Sequence, residues 1–184
     1  DARHWTELRM HDRRSLAVTV RKGVVESASS HRVSGVGVRV LVDGAWGFSA
    51  TSSLDRAGIQ EAVRAAETAA ARSSAAKLQR VKSPAECELA VGDFRTADAQ
   101  DVAARSTEEK TALVVDTERR TRNSSPLICS AMCRYTEIMD DKWISTSDGA
   151  DAHVEDSKLE FLASGVAEKD GERTIGWKGN GVTG

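Results

Sequence analysis

The sequence predicts an α+β fold in which meanders of antiparallel β-strands are covered by two helices. Residues 4–48 and 127–177 mostly alternate apolar and polar side chains, which is the period of a strand, whereas much of the sequence between them has helical spacing. Short turn sequences separate the strand segments. The expected order is four to five strands, a helix, one short strand, a second helix and four to five further strands.

The most informative segment is a hairpin within residues 35–50. Valines occupy every second position from Val36 to Val42, and Asp43-Gly44 follows them directly. Asp-Gly between two strands favours a type I′ turn, because both of its central residues require a positive φ. This loop predicts the pairs Val42 with Ala45, Leu41 with Trp46, Val40 with Gly47 and Arg39 with Phe48.

Three further strands are expected before this hairpin. Residues 4–11 suggest a short strand, and residues 15–20 and 24–29 form a second hairpin around Arg21-Lys22-Gly23. The polar residues 30–34 are interpreted as a link between the two hairpins.

Two helices follow. Residues 52–55 resemble a capping box, and apolar side chains then recur with helical spacing at Ile59, Ala62, Val63, Ala66 and Ala70. This helix should end near residues 72–74, and a second should lie within residues 98–122 with its first turn at 107–110. A connector over residues 75–96 contains a possible short strand near residues 86–91.

The remaining sequence predicts five strands at residues 127–137, 142–147, 150–155, 159–168 and 172–177. Asp140-Asp141, Asp148-Gly149 and Asp170-Gly171 supply the turns. We expect one domain over residues 1–176, with subregions 1–75 and 97–176, and a glycine-rich linker or truncated boundary at 177–184.

Composition excludes several classes of partner. The 184 residues include 26 basic and 28 acidic side chains. This near balance gives the chain no positive electrostatic field that would attract nucleic acid or an anionic membrane. No apolar run reaches the roughly 20 residues of a membrane helix. Three cysteines, expected to be small buried residues, indicate a reducing, cytoplasmic environment. The chain starts at Asp1 without Met, and one expectation is therefore that it is a piece of a longer protein.

No catalytic motif is visible. The four histidines have no partner at metal-ligand spacing, and HExxH, paired CxxC and clustered Asp, Glu and His are absent. The sequence therefore predicts no catalytic residue, no metal ligand and no cofactor in this chain.

The hairpin sequence GVGVRVLVDGAWGFSATSSL, followed by an alanine-rich helix, resembles the N-terminal domain of the TldD/PmbA family. This family is also known as peptidase U62 or modulator of DNA gyrase. Residues 15–26, 108–110, 147–149 and 173–176 resemble other parts of the family pattern. The resemblance thus extends over most of the chain, with the hairpin as its most specific part.

The resemblance implies a region of a zinc-dependent peptidase that acts on unfolded peptides, in peptide maturation and proteolysis. Its members work as homodimers or TldD–TldE heterodimers, and a HExxxH helix with a later cysteine holds zinc in their C-terminal domain. Because this chain ends about where that domain should begin, the resemblance implies a non-catalytic N-terminal domain. It would wall the substrate chamber, support dimer assembly, contact the C-terminal domain and be inactive alone.

Two other interpretations stay open. The chain could be a stand-alone module that binds an extended peptide by adding it to a sheet edge. It could also be an α+β scaffold whose likeness to the family is structural only.

Six residues are candidates for peptide or interdomain contact: Trp143, Ser147, Asp148, Gly149, Arg173 and Trp177. Large amphipathic aromatics often anchor contacts, although core packing is an equal alternative for both tryptophans. Ser147, Asp148 and Gly149 could form a turn alone, and Arg173 could be solvated. Trp46 is expected in the core.

Overall fold

The computed structural model describes residues 4–75, 80–95 and 104–183. Its strands are β1 (His4–Arg21), β2 (Val24–Val42), β3 (Ala45–Thr51), β4 (Val91–Arg95), β5 (Ile128–Thr146), β6 (Asp151–Lys169) and β7 (Glu172–Thr183). Its helices are α1 (Arg56–Ser74) and α2 (Thr107–Arg122). The α+β class and the two helices are confirmed.

Hydrogen-bonded neighbours follow the order β3-β2-β1-β5-β6-β4, and β7 also pairs with β6. The β2–β3 and β6–β7 pairs are antiparallel, whereas β4 runs parallel to β6. The chain divides into two compact units. Unit 1 comprises residues 1–12, 33–95 and 140–155, and unit 2 comprises residues 13–32, 96–139 and 156–184.

The predicted strand boundaries were too short. Three strands precede α1 instead of four or five, because residues 4–11 and 15–20 form one strand and residues 24–42 form another. The link predicted at residues 30–34 and the turn predicted at Asp140-Asp141 therefore lie inside β2 and β5. Polar side chains do not interrupt a strand whose backbone groups are paired with neighbouring strands.

Two more boundaries differ. The separate strands expected at residues 150–155 and 159–168 are parts of β6, and the short strand expected near residues 86–91 lies at Val91–Arg95. The glycine-rich segment interpreted as a linker continues β7 as far as Thr183, paired with β6. Backbone pairing with β6 orders this segment although it has few side chains to pack.

The turn chemistry was predicted correctly. Asp43 and Gly44 have φ of 46° and 78°, as a type I′ turn requires. All four predicted cross-strand pairs of the β2–β3 hairpin occur.

The core of unit 1 lies between α1 and the valine face of β2. Asp55 caps the helix by accepting a hydrogen bond from the Gly58 amide at 2.8 Å. The core combines the predicted apolar stripe with the predicted valines and two residues of β1: Val36, Val38, Val40, Val42, Ala62, Ala66 and Ala70, with Leu8, Met10, Ile59 and Val63 beside them. Alanine side chains bring the helix so close that a Cβ on Gly47 would lie 2.0 Å from the Ala66 carbonyl oxygen.

The core of unit 2 lies against α2. Ser106 and Glu109 form a reciprocal capping box at the start of this helix. Val114 packs with alternate residues of β1 and β5, namely Leu16, Val18, Val20, Cys133 and Tyr135. Leu159, Phe161 and Ala163 of β6 pack against the same cluster.

Candidate functional site

Four of the six candidate residues lie together at the β5–β6 connection in unit 1. The Ser147 hydroxyl accepts a hydrogen bond from the Thr6 amide at 3.0 Å. Gly149 has a φ of 114°, which a residue with a Cβ rarely adopts. A hydrogen bond from the Thr146 side chain lowers the pKa of Asp148. Residues 147–149 therefore form the turn that the sequence suggested.

The fourth residue, Trp143, leads to a cluster that the sequence interpretation missed. Trp143 is 46% exposed, and its ring stacks on His153 with centroids 3.9 Å apart. Nε2 of His153 lies 2.7 Å from an oxygen of Asp141 and 3.7 Å from an oxygen of Glu155. Its other nitrogen, Nδ1, lies 3.0 Å from an oxygen of Asp93. The imidazole is thus enclosed by three carboxylates and an indole.

The electrostatics of this cluster favour positive charge. Burial of His153 by itself lowers the pKa of the imidazole. Hydrogen bonds with Asp141 and Asp93, and the charges of Asp141 and Glu155, outweigh burial and raise that pKa above its ordinary 6.5. The site therefore attracts a proton or another cation at Nε2.

A local signal could have revealed part of the cluster. His153 and Glu155 are two residues apart, so on a strand their side chains point to the same face. Asp141 could not be added, because Asp140-Asp141 was interpreted as a turn. Across the described residues, Asp141, His153 and Glu155 are the group of three whose donor atoms lie close enough to hold a metal, within 4.8 Å of one another.

A second feature of unit 1 is an aromatic face opposite α1. Leu8 and Met10 pack towards α1, so the alternate residues of β1 project the other way. There the Arg39 guanidinium lies 5.2 Å from the Trp5 ring centroid and 5.0 Å from that of Trp46. Trp46 is thus partly buried in this aromatic group instead of lying in the core.

The rest of this face combines charge with exposed apolar area. Glu7 is buried and accepts a hydrogen bond from Arg39 at 2.6 Å. Phe48, the cross-strand partner of Arg39, is 66% exposed beside Trp46. Cation–π contacts and the partly buried ion pair with Glu7 hold the guanidinium in place.

The two remaining candidates lie on β7 in unit 2. Arg173 pairs with Glu168 at 2.8 Å, a contact that raises the pKa of the guanidinium. Trp177 is 73% exposed and pairs with Ser164, whereas Phe161 and Ala163 point towards α2. Because cross-strand partners share a face, Trp177 lies on the face opposite α2.

The same face carries an open groove of about 560 Å³. Trp177, Thr136, Ile138 and Glu160 line it, together with Lys158, Leu159 and residues 179–182. Ile175, two residues from Trp177 on β7, adds exposed apolar surface on this face. The open face of unit 2 is therefore apolar at its β7 edge.

The cysteines were only partly predicted. Cys133 is buried, whereas Cys87 and Cys129 are exposed, and all three are free. Burial, with the nearby Glu118 charge, raises the pKa of the Cys133 thiol. A thiol kept protonated in this way is a poor nucleophile.

Comparison with known proteins identifies two family regions. Residues 6–70 match PmbA/TldA metallopeptidase domain 1, and residues 100–184 match the PmbA/TldA metallopeptidase central domain. No curated protein matches the chain. Within the described residues, no helix is both long and apolar enough to cross a membrane.

Solved structures share the fold. A Thermotoga maritima protein described as a modulator of DNA gyrase is 15% identical, with a TM-score of 0.73 over 97% of this chain and 39% of its own. A Bacteroides thetaiotaomicron protein of the same description is 12% identical, with a TM-score of 0.67 over 96% and 40%. TldE from Thermococcus kodakarensis is 12% identical, with a TM-score of 0.71 over 96% and 39%. The chain thus spans about two fifths of each of these proteins.

Proposed function

Because the chain belongs to the PmbA/TldD metallopeptidase family, we propose that it is the non-catalytic N-terminal and central region of a zinc peptidase that acts on unfolded peptides. In this role it walls the substrate chamber, contacts a C-terminal catalytic domain and supports assembly of a homodimer or a TldD–TldE-type heterodimer. The expected location is the cytoplasm.

One observation carries this proposal: in each unit, a helix covers one face of the strands and exposed aromatic side chains lie on the other. Phe48 is 66% exposed opposite α1, and Trp177 is 73% exposed opposite α2. Exposure of aromatic surface to water is energetically unfavourable, so such faces usually contact a partner or a substrate. An unfolded peptide offers the apolar side chains and free backbone groups that such a face can bind.

The sequence supports assigning catalysis to the C-terminal domain and not to this chain. HExxxH does not occur in this chain, and the peptidase zinc is expected in the C-terminal domain. A peptidase needs an activated water or nucleophile, and the buried Cys133 thiol, whose pKa is raised, is a poor nucleophile. We therefore expect this chain to be inactive alone.

The experiment uses the natural protein encoded by the complete reading frame. We expect a HExxxH sequence within a few tens of codons after Gly184, and peptidase activity on an unfolded polypeptide that disappears on removal of zinc. Trp177→Ala and Phe48→Ala should raise KM several-fold with kcat nearly unchanged, because the lost contact positions substrate and leaves the reacting atoms untouched.

Val24→Ala is the matched control, since Val24 is 64% exposed but lies on β2, a strand that carries neither Phe48 nor Trp177. Equal effects of all three substitutions on KM would contradict a specific role for these faces. A stop codon soon after Gly184 would contradict the proposal as a whole.

A second function is favoured by the outer edge of β7. Among the described residues, β7 pairs with β6 and with no other strand, so its far side offers free backbone groups. An extended peptide could add there as a further strand. Binding of a fluorescent unfolded peptide by this chain in the presence of EDTA would support a stand-alone binding module.

A further inference from the structure

The cluster of Asp141, His153 and Glu155 has the donor types and the spacing of a transition-metal site. It offers one imidazole nitrogen and two carboxylates, with all three donor atoms within 4.8 Å of one another. Donors about 2.0–2.2 Å from a tetrahedral Zn²⁺ lie roughly 3.3–3.5 Å apart. The Nε2 distances of 2.7 Å to Asp141 and 3.7 Å to Glu155 bracket that spacing, so side-chain adjustment would bring these donors to the ligand positions of one ion.

The contact on the other side of the ring fixes which nitrogen is available. A neutral imidazole carries one N–H, and donation from Nδ1 to Asp93 at 3.0 Å leaves the lone pair on Nε2. That lone pair then faces the oxygens of Asp141 and Glu155, where either a proton or a metal ion can bridge the three groups. Metal-binding histidines commonly donate their second N–H to a carboxylate in this way, which fixes the tautomer and strengthens the ligand.

Two further features suit an ion. His153 is 7% exposed, and Trp143 stacks on it at an interplanar angle of 12°, so the ring has a fixed orientation. The three carboxylates around the ring carry three negative charges, and Arg95 pairs with one of them, Glu155, at 3.2 Å. A divalent cation balances the excess charge better than a single proton on His153.

We propose that Asp141, His153 and Glu155 bind one divalent transition-metal ion through one imidazole nitrogen and two carboxylate oxygens, and Zn²⁺ is the probe used to test the site. The ion would join β5, which carries Asp141, to β6, which carries the other two ligands. Asp93 on β4 would act behind His153 as its hydrogen-bond acceptor. Three protein ligands leave a fourth position for water.

This site departs from the expectation of no metal in the chain and is separate from the peptidase zinc expected in the C-terminal domain. It does not rest on the proposed function. Imidazole nitrogen also distinguishes it from sites for Mg²⁺ and Ca²⁺, which prefer oxygen ligands.

The test is calorimetric titration of the complete 184-residue chain. Exposed Cys87 and Cys129 are first alkylated, because free thiols bind zinc, and bound metals are removed with EDTA. Titration with ZnCl₂ should give one equivalent of bound Zn²⁺ per chain, and titration with MgCl₂ should give none. His153→Gln should weaken Zn²⁺ binding at least tenfold.

His11→Gln is the matched control. Nε2 of His11 also lies 2.7 Å from a carboxylate, Asp140, but the pair is outside the three-donor group. This substitution should leave the Zn²⁺ affinity within about twofold of the unmodified chain.

Asp141→Asn and Glu155→Gln provide a second measurement if circular dichroism shows that His153→Gln does not fold. Each removes one ligand charge and should weaken Zn²⁺ binding at least tenfold. Absence of stoichiometric Zn²⁺ binding, or equal binding by these variants and His11→Gln, would overturn the proposal.

Discussion

The two helices are held against their strands by different interactions. α1 buries three alanines, Ala62, Ala66 and Ala70, and no charged residue. α2 buries Val114 between two charged residues, Lys110 and Glu118. Unit 1 also contains buried charged groups, including Glu7 and His153, but they are on its strands.

This difference determines which kind of substitution should destabilise each unit. Close approach of α1 depends on small residues, so added volume should disrupt it without any electrostatic change. Burial of Lys110 depends on Glu137, whose carboxylate lies 2.7 Å from the ammonium and also accepts a hydrogen bond from Tyr135. Burial and the Glu137 charge raise the pKa of Tyr135, which keeps its hydroxyl as a donor. Loss of one partner should therefore leave a buried charge uncompensated.

The largest effect should come from removing one partner of the buried ion pair between α2 and β5 in unit 2. Lys110→Met leaves Glu137 buried without its cation and should lower the free energy of unfolding by roughly 3–5 kcal/mol. Arg120→Met removes an exposed pair with Asp116 at 4.0 Å and should cost less than about 0.5 kcal/mol. Urea denaturation measures both. Equal losses would show that burial of the ion pair is unimportant.

A slightly smaller effect is expected from added volume in the α1 unit. Gly47→Ala places a Cβ 2.0 Å from the Ala66 carbonyl oxygen, and the helix backbone must move. We expect a loss of about 1–3 kcal/mol, measured by urea denaturation.

Gly37→Ala is its control, because a Cβ there would meet Arg9 at 3.9 Å, an ordinary contact. A stability change within about 0.5 kcal/mol is expected for this exposed position. An equally small change in stability for Gly47→Ala would contradict the close packing of α1 against β3.

Capping should have a moderate effect. Ser106→Ala removes the hydroxyl that accepts from the Glu109 amide at 3.1 Å and should cost about 1 kcal/mol. Thr111→Ala removes a hydroxyl bonded to the Thr107 carbonyl inside the helix and should be nearly neutral. Thermal denaturation of both variants shows whether the loss of stability comes from the capping position of the hydroxyl and not from loss of a hydroxyl in general.

The smallest effect concerns pH and the strand charges of unit 1. The raised pKa of His153 means that folding favours its protonated form. In metal-free buffer this stabilisation is complete below about pH 6.5 and is lost as pH rises through the higher pKa of the folded chain. We therefore expect the free energy of unfolding to fall as pH rises through this range.

His153→Gln should remove this part of the pH dependence, whereas His31→Gln, at an exposed position of β2, should leave it unchanged. Urea denaturation at several pH values between 6 and 8 makes the comparison. Stability that rises with pH in the unmodified chain would contradict the assigned direction of the His153 pKa shift.

Local chemistry explains why parts of the fold were predictable. Asp43-Gly44 requires a tight turn, and the alternating valines before it then fix the pairing of Val40 with Gly47. The alanine stripe of α1 was predictable because helical spacing is a property of neighbouring residues. Strand lengths were not, since residues 30–34 have polar side chains but continue β2 through backbone pairing.

The candidate site was less predictable. Turn chemistry suggested residues 147–149, and aromatic character suggested Trp143 and Trp177. The contacts of Asp141 and Asp93 with His153 join residues 12 and 60 positions apart in the chain. No local pattern contains such contacts.

The sequence by itself determined the α+β class, the β2–β3 register, the buried faces of α1 and the family resemblance, because these depend on spacing and turn preferences between near neighbours. Tertiary structure alone decided the strand lengths, the open faces that expose Phe48 and Trp177, and the carboxylates around His153. Pairing of distant strands brings those groups together, and their pKa values and ligand capacity arise only from that proximity.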